Sequence, residues 1–285
     1  ADVRLPKTVA NVRQLRVFSA QQPKGRIFTM MNRKIAAQLY TVRDFCQNEA
    51  DFNMTLAKLK NIGYQAIQVS GVGPIPAKTI RAIADQNGME IYCTHRGFQE
   101  YTDDLEGVIQ YHKDLGCSVA GLGCAPTEYL QDADGLRALL KIFNDVSAAL
   151  AANGLTFAYH NHAFEFSKLD GKWVMDYLLE ETDPSSFGFI PDVYWMAYAG
   201  VNPPDYLKKL GSRAKVVHFK DLKMKAWTEQ DYCEVLCGNL DFDAIIAACD
   251  ECGAGAAAVE QDVCPGDPFE SLAISYRNLT KKGFC

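Results

Sequence analysis

Short apolar runs alternate with amphipathic stretches along the chain from residue 35 onward. The apolar runs have the length of buried strands, and the stretches between them place apolar residues at helical spacing. Glycines that stop helices, such as Gly63, Gly116 and Gly154, end several of these stretches just before the next apolar run. The pattern predicts eight strands, over Ile35–Tyr40, Ala66–Ser70, Ile91–Thr94, Val119–Leu122, Thr156–His160, Gly188–Ile190, Lys215–Phe219 and Ala256–Glu260.

Repeated strand–helix units are typical of a parallel sheet covered by helices. An open, doubly wound sheet would show the same alternation, but eight strands favour a closed barrel, and no glycine-rich dinucleotide or phosphate loop follows the first strand. We therefore predict an α/β fold, a single (β/α)8 TIM barrel over residues 33–285. Its helices are expected over Phe52–Ile62, Ile80–Asn87, Asp104–Leu115, Leu136–Ala152, Tyr177–Glu181, Pro204–Leu210, Phe242–Cys249 and Phe269–Leu279.

Residues 1–32 do not share this pattern, because they are polar, basic and without a clear period. We interpret them as an N-terminal extension of the barrel. A lid over the N-terminal face of the barrel is the alternative that the sequence leaves open.

The amino-acid composition argues against nucleic acids and membranes as binding partners. A net charge of −6 argues against a broad nucleic-acid interface, which needs a basic face. No apolar run has the roughly 18–20 residues of a membrane span, and basic residues interrupt the N-terminus where a signal peptide would be apolar. The ten cysteines include one CxxC, Cys249 and Cys252, without a second ligand pair at zinc-finger distance, so we interpret them as reduced thiols. We expect a cytoplasmic protein that binds a small molecule, neither nucleic acid nor membrane.

Ionisable residues follow the later predicted strands, where a buried strand would otherwise be apolar. The C-terminal ends of barrel strands and the loops after them build the active site in this fold. Strand five ends at His160 and is followed by His162, and the two-residue period of a strand places both on one side. Strands six, seven and eight lead to Asp192, His218 and Glu260, so four consecutive strands are predicted to bring His160, Asp192, His218 and Glu260 to one rim.

These four side chains have the chemistry of a metal site. Imidazole and carboxylate ligands favour Mn²⁺, Co²⁺, Fe²⁺ or Zn²⁺ over Ca²⁺, and Mg²⁺ stays among the candidates. A divalent metal could hold two sugar oxygens and stabilise the enediolate that forms when a proton leaves the carbon between them. Glu260 is then both a ligand and the candidate base, and Glu165, His162 and Lys220 are further candidate catalytic residues.

Each residue also has a structural interpretation. A histidine at a strand end is often a hydrogen-bonded packing residue, Asp192 could cap the following helix, and Glu260 could form a buried ion pair with Lys220. Together they favour a site, because burying so many ionisable groups without a partner is costly. A helical pattern makes His112 a surface or packing residue.

Three further residues are candidates for binding the substrate. His95 follows the third strand and could line the pocket or serve the loop itself, and Gln261 lies beside Glu260. Trp195 could stack on the apolar face of a sugar ring, or belong to the core or to an interface.

The sequence resembles the sugar phosphate isomerase/epimerase family of the xylose-isomerase-like TIM-barrel superfamily, over roughly residues 33–280. The matching text covers residues at or just after several of the predicted strands. It comprises Gln38–Asp44, Gly63–Gly71, Tyr159–His162, Phe164–Phe166, Asp192–Trp195, Val217–Asp221, Gly238–Phe242 and Val259–Asp262.

The resemblance implies a metal held by a Glu, Asp, His and Glu set, in which Asp192, His218 and Glu260 match three places. Where many relatives have the first glutamate, this chain has His160, so either His160 takes that role, or Glu165 does, or only three ligands bind. In the sugar epimerases of the superfamily the two metal-bound glutamates exchange the proton. The departure at His160 therefore casts doubt on a two-base epimerase mechanism.

The resemblance leaves more than one reaction open. The leading hypothesis is a metal-dependent isomerase or epimerase of a sugar or sugar derivative. A lyase, either a dehydratase or an enzyme that eliminates the aglycone of a 3-keto-glycoside, would use the same metal and base. A catalytically inactive binding barrel is a third hypothesis, a nuclease conflicts with the acidic pI of about 5.4, and a homo-oligomer is compatible with the sequence.

Overall fold

The computed structural model describes residues 30–285, and the predicted barrel is confirmed there. Eight parallel strands occupy the predicted positions, with ends that shift by no more than two residues. They are β1 (Ile35–Gln38), β2 (Ala66–Val69), β3 (Glu90–Thr94), β4 (Val119–Leu122), β5 (Thr156–His160), β6 (Phe187–Ile190), β7 (Val216–Phe219) and β8 (Ala256–Val259).

The strands form one closed barrel in sequence order. Regular parallel ladders join β3, β2, β1, β8 and β7 on one side and β4, β5 and β6 on the other. Isolated parallel bridges close the two seams. Arg96 pairs with Leu122 between β3 and β4, and Phe189 with Ala214 and Asp192 with His218 between β6 and β7. A bridge at the second seam holds two candidate site residues side by side.

Helices cover the outside of the barrel, and several begin at an Asn or Asp side chain that accepts a hydrogen bond from a backbone N–H of the first turn. Two short helices, α3 (Phe98–Asp103) and α7 (Val193–Tyr198), were not predicted. The helices are α1 (Glu49–Ile62), α2 (Ala77–Gln86), α3 (Phe98–Asp103), α4 (Leu105–Leu115), α5 (Ala133–Ala151), α6 (Val174–Glu181), α7 (Val193–Tyr198), α8 (Pro203–Leu210), α9 (Phe242–Cys252) and α10 (Pro268–Thr280).

An antiparallel hairpin, Asp221–Met224 paired with Gln230–Cys233, also escaped the prediction. It follows β7 directly. Tyr232 of this hairpin stacks on Tyr194 of α7, with ring centroids 4.7 Å apart. The loop after β7 is therefore an ordered wall beside the strand ends.

The interior of the barrel is built in two layers. Seven strands place a small or apolar side chain in the lower layer: Ala36, Ala66, Cys93, Ala158, Ile190, Val216 and Ala258. Because strand side chains alternate with a period of two, the residue two positions further on each strand points to the same interior, one layer nearer the C-terminal mouth. We call these positions, together with the corresponding Gly123 after β4, the mouth ring: Gln38, Gln68, His95, Gly123, His160, Asp192, His218 and Glu260.

The predicted extension over residues 1–32 falls mostly outside the described residues, which begin at residue 30. Met31 is buried, and the backbone N–H of Asn32 donates to the carbonyl of Gly255 just before β8. All ten cysteines are free thiols. No helix within residues 30–285 has the length and apolar character needed to cross a membrane.

Candidate functional site

Four ionisable members of the mouth ring converge at the C-terminal end of the barrel. Donor atoms of His160, Asp192, His218 and Glu260 all lie within 4.8 Å of one another, and all four residues are buried. Each comes from the end of a different strand, as predicted. The closeness follows from the inward register that β5, β6, β7 and β8 share.

Asp192 serves the helix and the cluster at once. Its Oδ1 accepts hydrogen bonds from the backbone N–H groups of Tyr194 and Trp195, at 2.9 and 3.1 Å, and thereby caps α7. Its Oδ2 lies 3.4 Å from His160 Nε2 and 3.7 Å from His218 Nδ1. The capping role and the ligand role weighed for Asp192 are therefore compatible, since each uses a different oxygen.

His160 is oriented by a backbone carbonyl. Its Nδ1 lies 3.0 Å from the carbonyl oxygen of Gly123, which can only accept, so this nitrogen carries the proton. In the neutral ring the lone pair is then at Nε2, directed at the carboxylate of Asp192. A lone pair facing a carboxylate is stabilised only by a proton or a cation between them, so this arrangement fits a metal ligand.

His218 lies between acidic neighbours. Its Nδ1 is 2.9 Å from Glu260 Oε2, and its Nε2 is 2.9 Å from Gln68 Oε1. Burial disfavours the charged imidazolium, but the carboxylates of Glu260 and Asp192 outweigh burial and raise the pKa of His218 to about 9. In the metal-free chain a proton therefore occupies the place that a cation would take.

Lys220 stands beside the cluster and is also buried. Its Nζ lies 3.5 Å from both Asp192 Oδ2 and Glu260 Oε2, and 2.7 Å from Asp262 Oδ2. Burial opposes ionisation of the Asp192 and Glu260 carboxyls, but the Lys220 ammonium lowers the pKa of both below its usual range. The ion pair considered for Glu260 and Lys220 is present, and it does not displace Glu260 from the cluster.

The charges of this group do not balance within the described residues. With His218 neutral, as a metal-binding imidazole must be, Asp192, Glu260 and Asp262 carry three negative charges when ionised and Lys220 carries one positive charge. In the metal-free chain the proton on His218 offsets one of the remaining two. Buried charges are costly unless they are compensated, and a divalent cation would supply the two missing charges. Donor types, spacing and charge therefore all fit a divalent metal ion.

A cavity of about 730 Å³ opens over the cluster, lined by residues from several strand ends and loops. His95, His162 and Trp195 are among them, as predicted. Each has a buried ring nitrogen without a hydrogen-bond partner among residues 30–285: His95 Nε2, His162 Nδ1 and Trp195 Nε1. Buried polar atoms rarely remain unpaired, so these nitrogens are suited to the hydroxyl groups of a bound ligand.

His95 and His162, which line the cavity, are neutral. Burial is the main cause that lowers the pKa of His162 to about 3, helped by the neighbouring His160. Burial and His160 also hold the pKa of His95 well below its usual range. At neutral pH these rings exchange hydrogen bonds with a ligand without contributing charge.

Two predicted site residues lie away from the cavity. The carboxylate of Glu165 is buried against the hydroxyl of Tyr159, a side chain that faces the helices, and accepts the backbone N–H of His162 at 2.8 Å. The amide of Gln261 donates to the carbonyl of Val263 at 3.2 Å. Neither residue lines the cavity, and neither belongs to the cluster of His160, Asp192, His218 and Glu260.

His112 is a packing residue, the second of its two predicted roles. It is fully buried in α4, with Nε2 2.8 Å from the hydroxyl of Thr94 and Nδ1 2.7 Å from the carbonyl of Val108. Its ring ties the helix to the end of β3. The surface alternative is therefore wrong.

Several residues of the site were not predicted. Tyr40 and Arg43 after β1 and Arg96 after β3 line the cavity, and Asp262 pairs with Lys220. In the sequence, the only indication of a site role was their position just after a predicted strand. Loops have no regular spacing of residues from which one could tell which side chains point into the cavity. The contact of Gln68 with His218 did have a sequence signal, because Gln68 is two residues beyond the inward-facing Ala66.

Comparisons with known proteins agree with this architecture. An inosose dehydratase of Clostridium perfringens is 22% identical over 271 residues, which cover 82% of this chain and 90% of that protein. The crystal structure of a sugar phosphate isomerase/epimerase from Parabacteroides distasonis superposes with a TM-score of 0.72 at 23% identity, over 88% of this chain and 98% of that one.

A second similar structure is that of the IOLI protein with a bound zinc atom. It superposes with a TM-score of 0.68 at 15% identity, over 87% of this chain and 97% of that one. The family model described as xylose isomerase-like TIM barrel matches residues 56–272, well over half of the sequence. The chain therefore belongs to the xylose isomerase-like TIM barrel family of enzymes.

Proposed function

We propose that the chain is a metal-dependent enzyme that removes a proton next to the carbonyl of a sugar or sugar-like substrate. The observation that carries this proposal is the convergence of His160, Asp192, His218 and Glu260, of which His160 and Glu260 line a cavity. The zinc atom in the IOLI protein supports a metal in this fold. The names of the dehydratase and isomerase/epimerase relatives support the substrate class.

His160 Nε2, Asp192 Oδ2, His218 Nδ1 and one oxygen of Glu260 would hold the cation. Mixed nitrogen and oxygen donors favour Mn²⁺, Co²⁺, Fe²⁺ or Zn²⁺, with Mg²⁺ as a weaker fit. When bound, the cation polarises the substrate carbonyl and so lowers the pKa of the neighbouring C–H. His160 replaces the first glutamate of many relatives in this set.

Glu260 is the proposed base. Its Oε2 contacts His218 and Lys220, while Oε1 receives no hydrogen bond from residues 30–285 and is available to a substrate C–H. The low pKa of Glu260 keeps it ionised at neutral pH. Lys220 holds this carboxylate in place and carries a proton at the same wall of the cavity.

The neutral wall of the cavity would bind the substrate hydroxyls. His95, His162 and Trp195 each offer an unpaired ring nitrogen on a different strand end or loop. The Trp195 indole also offers a flat apolar face for a sugar ring. Because His162 is neutral with a low pKa, we assign it to hydrogen bonding and give the role of proton donor to Lys220.

Among the outcomes of proton removal, this geometry favours β-elimination. Epimerisation needs a second acid–base group on the opposite face of the substrate, and His160 stands in the place of the first glutamate of many relatives. Its two nitrogens are committed to the Gly123 carbonyl and to the cation site. In elimination Glu260 takes the proton from carbon, the β C–O bond breaks, and the Lys220 ammonium donates a proton to the leaving oxygen.

Isomerisation of an aldose or ketose is the second candidate. Moving a proton between neighbouring carbons on one face requires a single base, and Glu260 with Lys220 beside it at 3.5 Å could both remove and return the proton. The likeness to a sugar phosphate isomerase/epimerase supports this candidate.

The test is an incubation of the Mn²⁺-loaded protein with keto-sugars and 3-keto-glycosides in deuterated water, followed by NMR. Loss of water or of the aglycone supports elimination, and deuterium in a rearranged sugar supports isomerisation. Glu260→Gln should reduce either rate by about 10³-fold or more. An unaltered protein that shows neither exchange nor product with the metal bound would contradict the proposed enzyme and favour the inactive binding barrel.

A further inference from the structure

Gln68 is a fully buried member of the mouth ring outside the candidate ligand set. It stands on β2, across the barrel from His218, and its Oε1 lies 2.9 Å from His218 Nε2. The opposite ring nitrogen, Nδ1, faces Glu260 Oε2 at 2.9 Å and Asp192 Oδ2 at 3.7 Å. Gln68 therefore touches the back of the ring whose front faces the acidic cluster.

This contact decides which nitrogen of His218 can bind a cation. An amide oxygen only accepts hydrogen bonds, so His218 must carry a proton at Nε2 to pair with Gln68. The neutral ring then has its lone pair at Nδ1, on the side of Asp192 and Glu260. Without the acceptor at position 68, the proton could reside on Nδ1 and block that side.

The amide of Gln68 has no other polar contact within the described chain. Its Nε2 is buried without a hydrogen-bond partner, which is a costly state for an amide in a protein interior. An apolar side chain would avoid this cost. The arrangement is explained when the carbonyl oxygen of Gln68 has a task at His218.

We propose that Gln68 is a positioning residue of the metal centre, which fixes the orientation and the Nε2–H tautomer of His218. The inference rests on the proposed function only in that it requires the cation site. An amide oxygen, like a carboxylate oxygen, can orient the ring by accepting a hydrogen bond from Nε2–H. Groups that orient a metal-binding histidine in this way typically contribute 10- to 100-fold in metal affinity.

The chain offers a matched control in Gln38. Gln38 is the register partner of Gln68 on the adjacent strand β1, is equally buried, and also has an unpaired Nε2. Its Oε1 accepts the backbone N–H of Tyr40 at 3.2 Å instead of contacting His218. A general effect of replacing a buried amide at this level of the barrel would therefore show in both variants.

The experiment measures the Mn²⁺ affinity of the unaltered protein, Gln68→Met and Gln38→Met by calorimetric titration. Methionine is close to glutamine in shape and lacks a strong acceptor. We expect affinity to fall 10- to 100-fold in Gln68→Met and to change less than threefold in Gln38→Met. Gln68→Glu, which keeps an acceptor at His218, should stay within about threefold of the unaltered protein.

The outcomes separate this inference from the proposed function. Unchanged affinity in Gln68→Met, or an equal loss in Gln38→Met, overturns the role of Gln68 and leaves the metal centre intact. Absence of Mn²⁺ binding in the unaltered protein overturns both. If Gln68→Met does not fold, Gln68→Glu decides alone, since a loss beyond tenfold there contradicts a role as acceptor.

Discussion

The two halves of the mouth ring share one geometry and differ in chemistry. Strands β1 to β3 contribute neutral side chains, Gln38, Gln68 and His95, whereas strands β5 to β8 contribute four ionisable ones. All occupy the same inward register, two residues beyond the lower layer. The backbone thus decides where a polar group can point into the barrel, and residue type alone distinguishes the proposed cation site of one half from the neutral side chains of the other.

The largest expected effect comes from removing one charge in the ionisable half. Asp192→Asn keeps a side-chain oxygen that can cap α7, since Asn is as good a capping residue as Asp. We expect Mn²⁺ affinity to fall by about 10³-fold or more, because a charged ligand is replaced by a neutral amide. Calorimetric titration measures the loss, and circular dichroism checks that the fold is retained. A variant that binds Mn²⁺ like the unaltered protein would contradict the cation site.

The ionisable half should also make the metal-free protein sensitive to pH. The folded pKa of His218 is about 9 and its unfolded value about 6.5, so the folded state binds more protons between these values. The contribution of His218 to the free energy of unfolding is therefore fully present below pH 6.5 and is lost as the pH rises towards 9. We expect a loss of about 2–3 kcal/mol, measured by urea unfolding with a chelator present.

The control for this pH dependence is His218→Asn, which removes the titrating group. The difference between the two proteins isolates His218 from other groups, among them Glu165, whose pKa burial raises to about 7. If both proteins lose the same stability between pH 6.5 and 9, His218 is not the source.

In the neutral half, a substitution should affect the substrate and spare the metal. His95→Phe keeps a ring at the cavity wall and removes the unpaired Nε2. We expect the KM for the substrate to rise about tenfold, the cost of one hydrogen bond, with Mn²⁺ affinity unchanged within twofold. Steady-state kinetics beside a metal titration separates these quantities. Weaker metal binding would show that the two halves are not independent.

The smallest effect is expected outside the ring. Gln261 follows Glu260 directly, and its amide is bonded to the carbonyl of Val263 instead of lining the cavity. Gln261→Ala should therefore change kcat/KM by less than about twofold. A tenfold loss would restore its predicted role in substrate binding.

The barrel and the cluster of His160, Asp192, His218 and Glu260 could be predicted because both follow from strand periodicity. Eight apolar runs gave the strands, and ionisable residues at the ends of the last four gave the cluster. The same period of two indicates that Gln261 points away from the barrel interior, since the neighbour of an inward-facing Glu260 faces the other way. It also could have drawn attention to Gln68, two residues beyond Ala66.

Features set by loops could not be derived in this way. Helix α7 has only six residues and is capped by Asp192, so its capping signal coincides with a candidate ligand. Glu165 lies in a short turn after β5, where no simple period applies, and its partner Tyr159 is known only once the strand faces are known. The hairpin after β7 has no turn sequence of the common two-residue types.

The two oxygens of the Asp192 carboxylate have different partners, and this should lower the entropic cost of binding an ion. One oxygen is already immobilised by two backbone N–H groups of α7, so little conformational entropy remains to be lost when the other oxygen binds. Trp195, in the first turn of that helix, is anchored by the same side chain. Through this shared anchor, the position of Trp195 at the cavity wall is fixed before the proposed metal or substrate would bind.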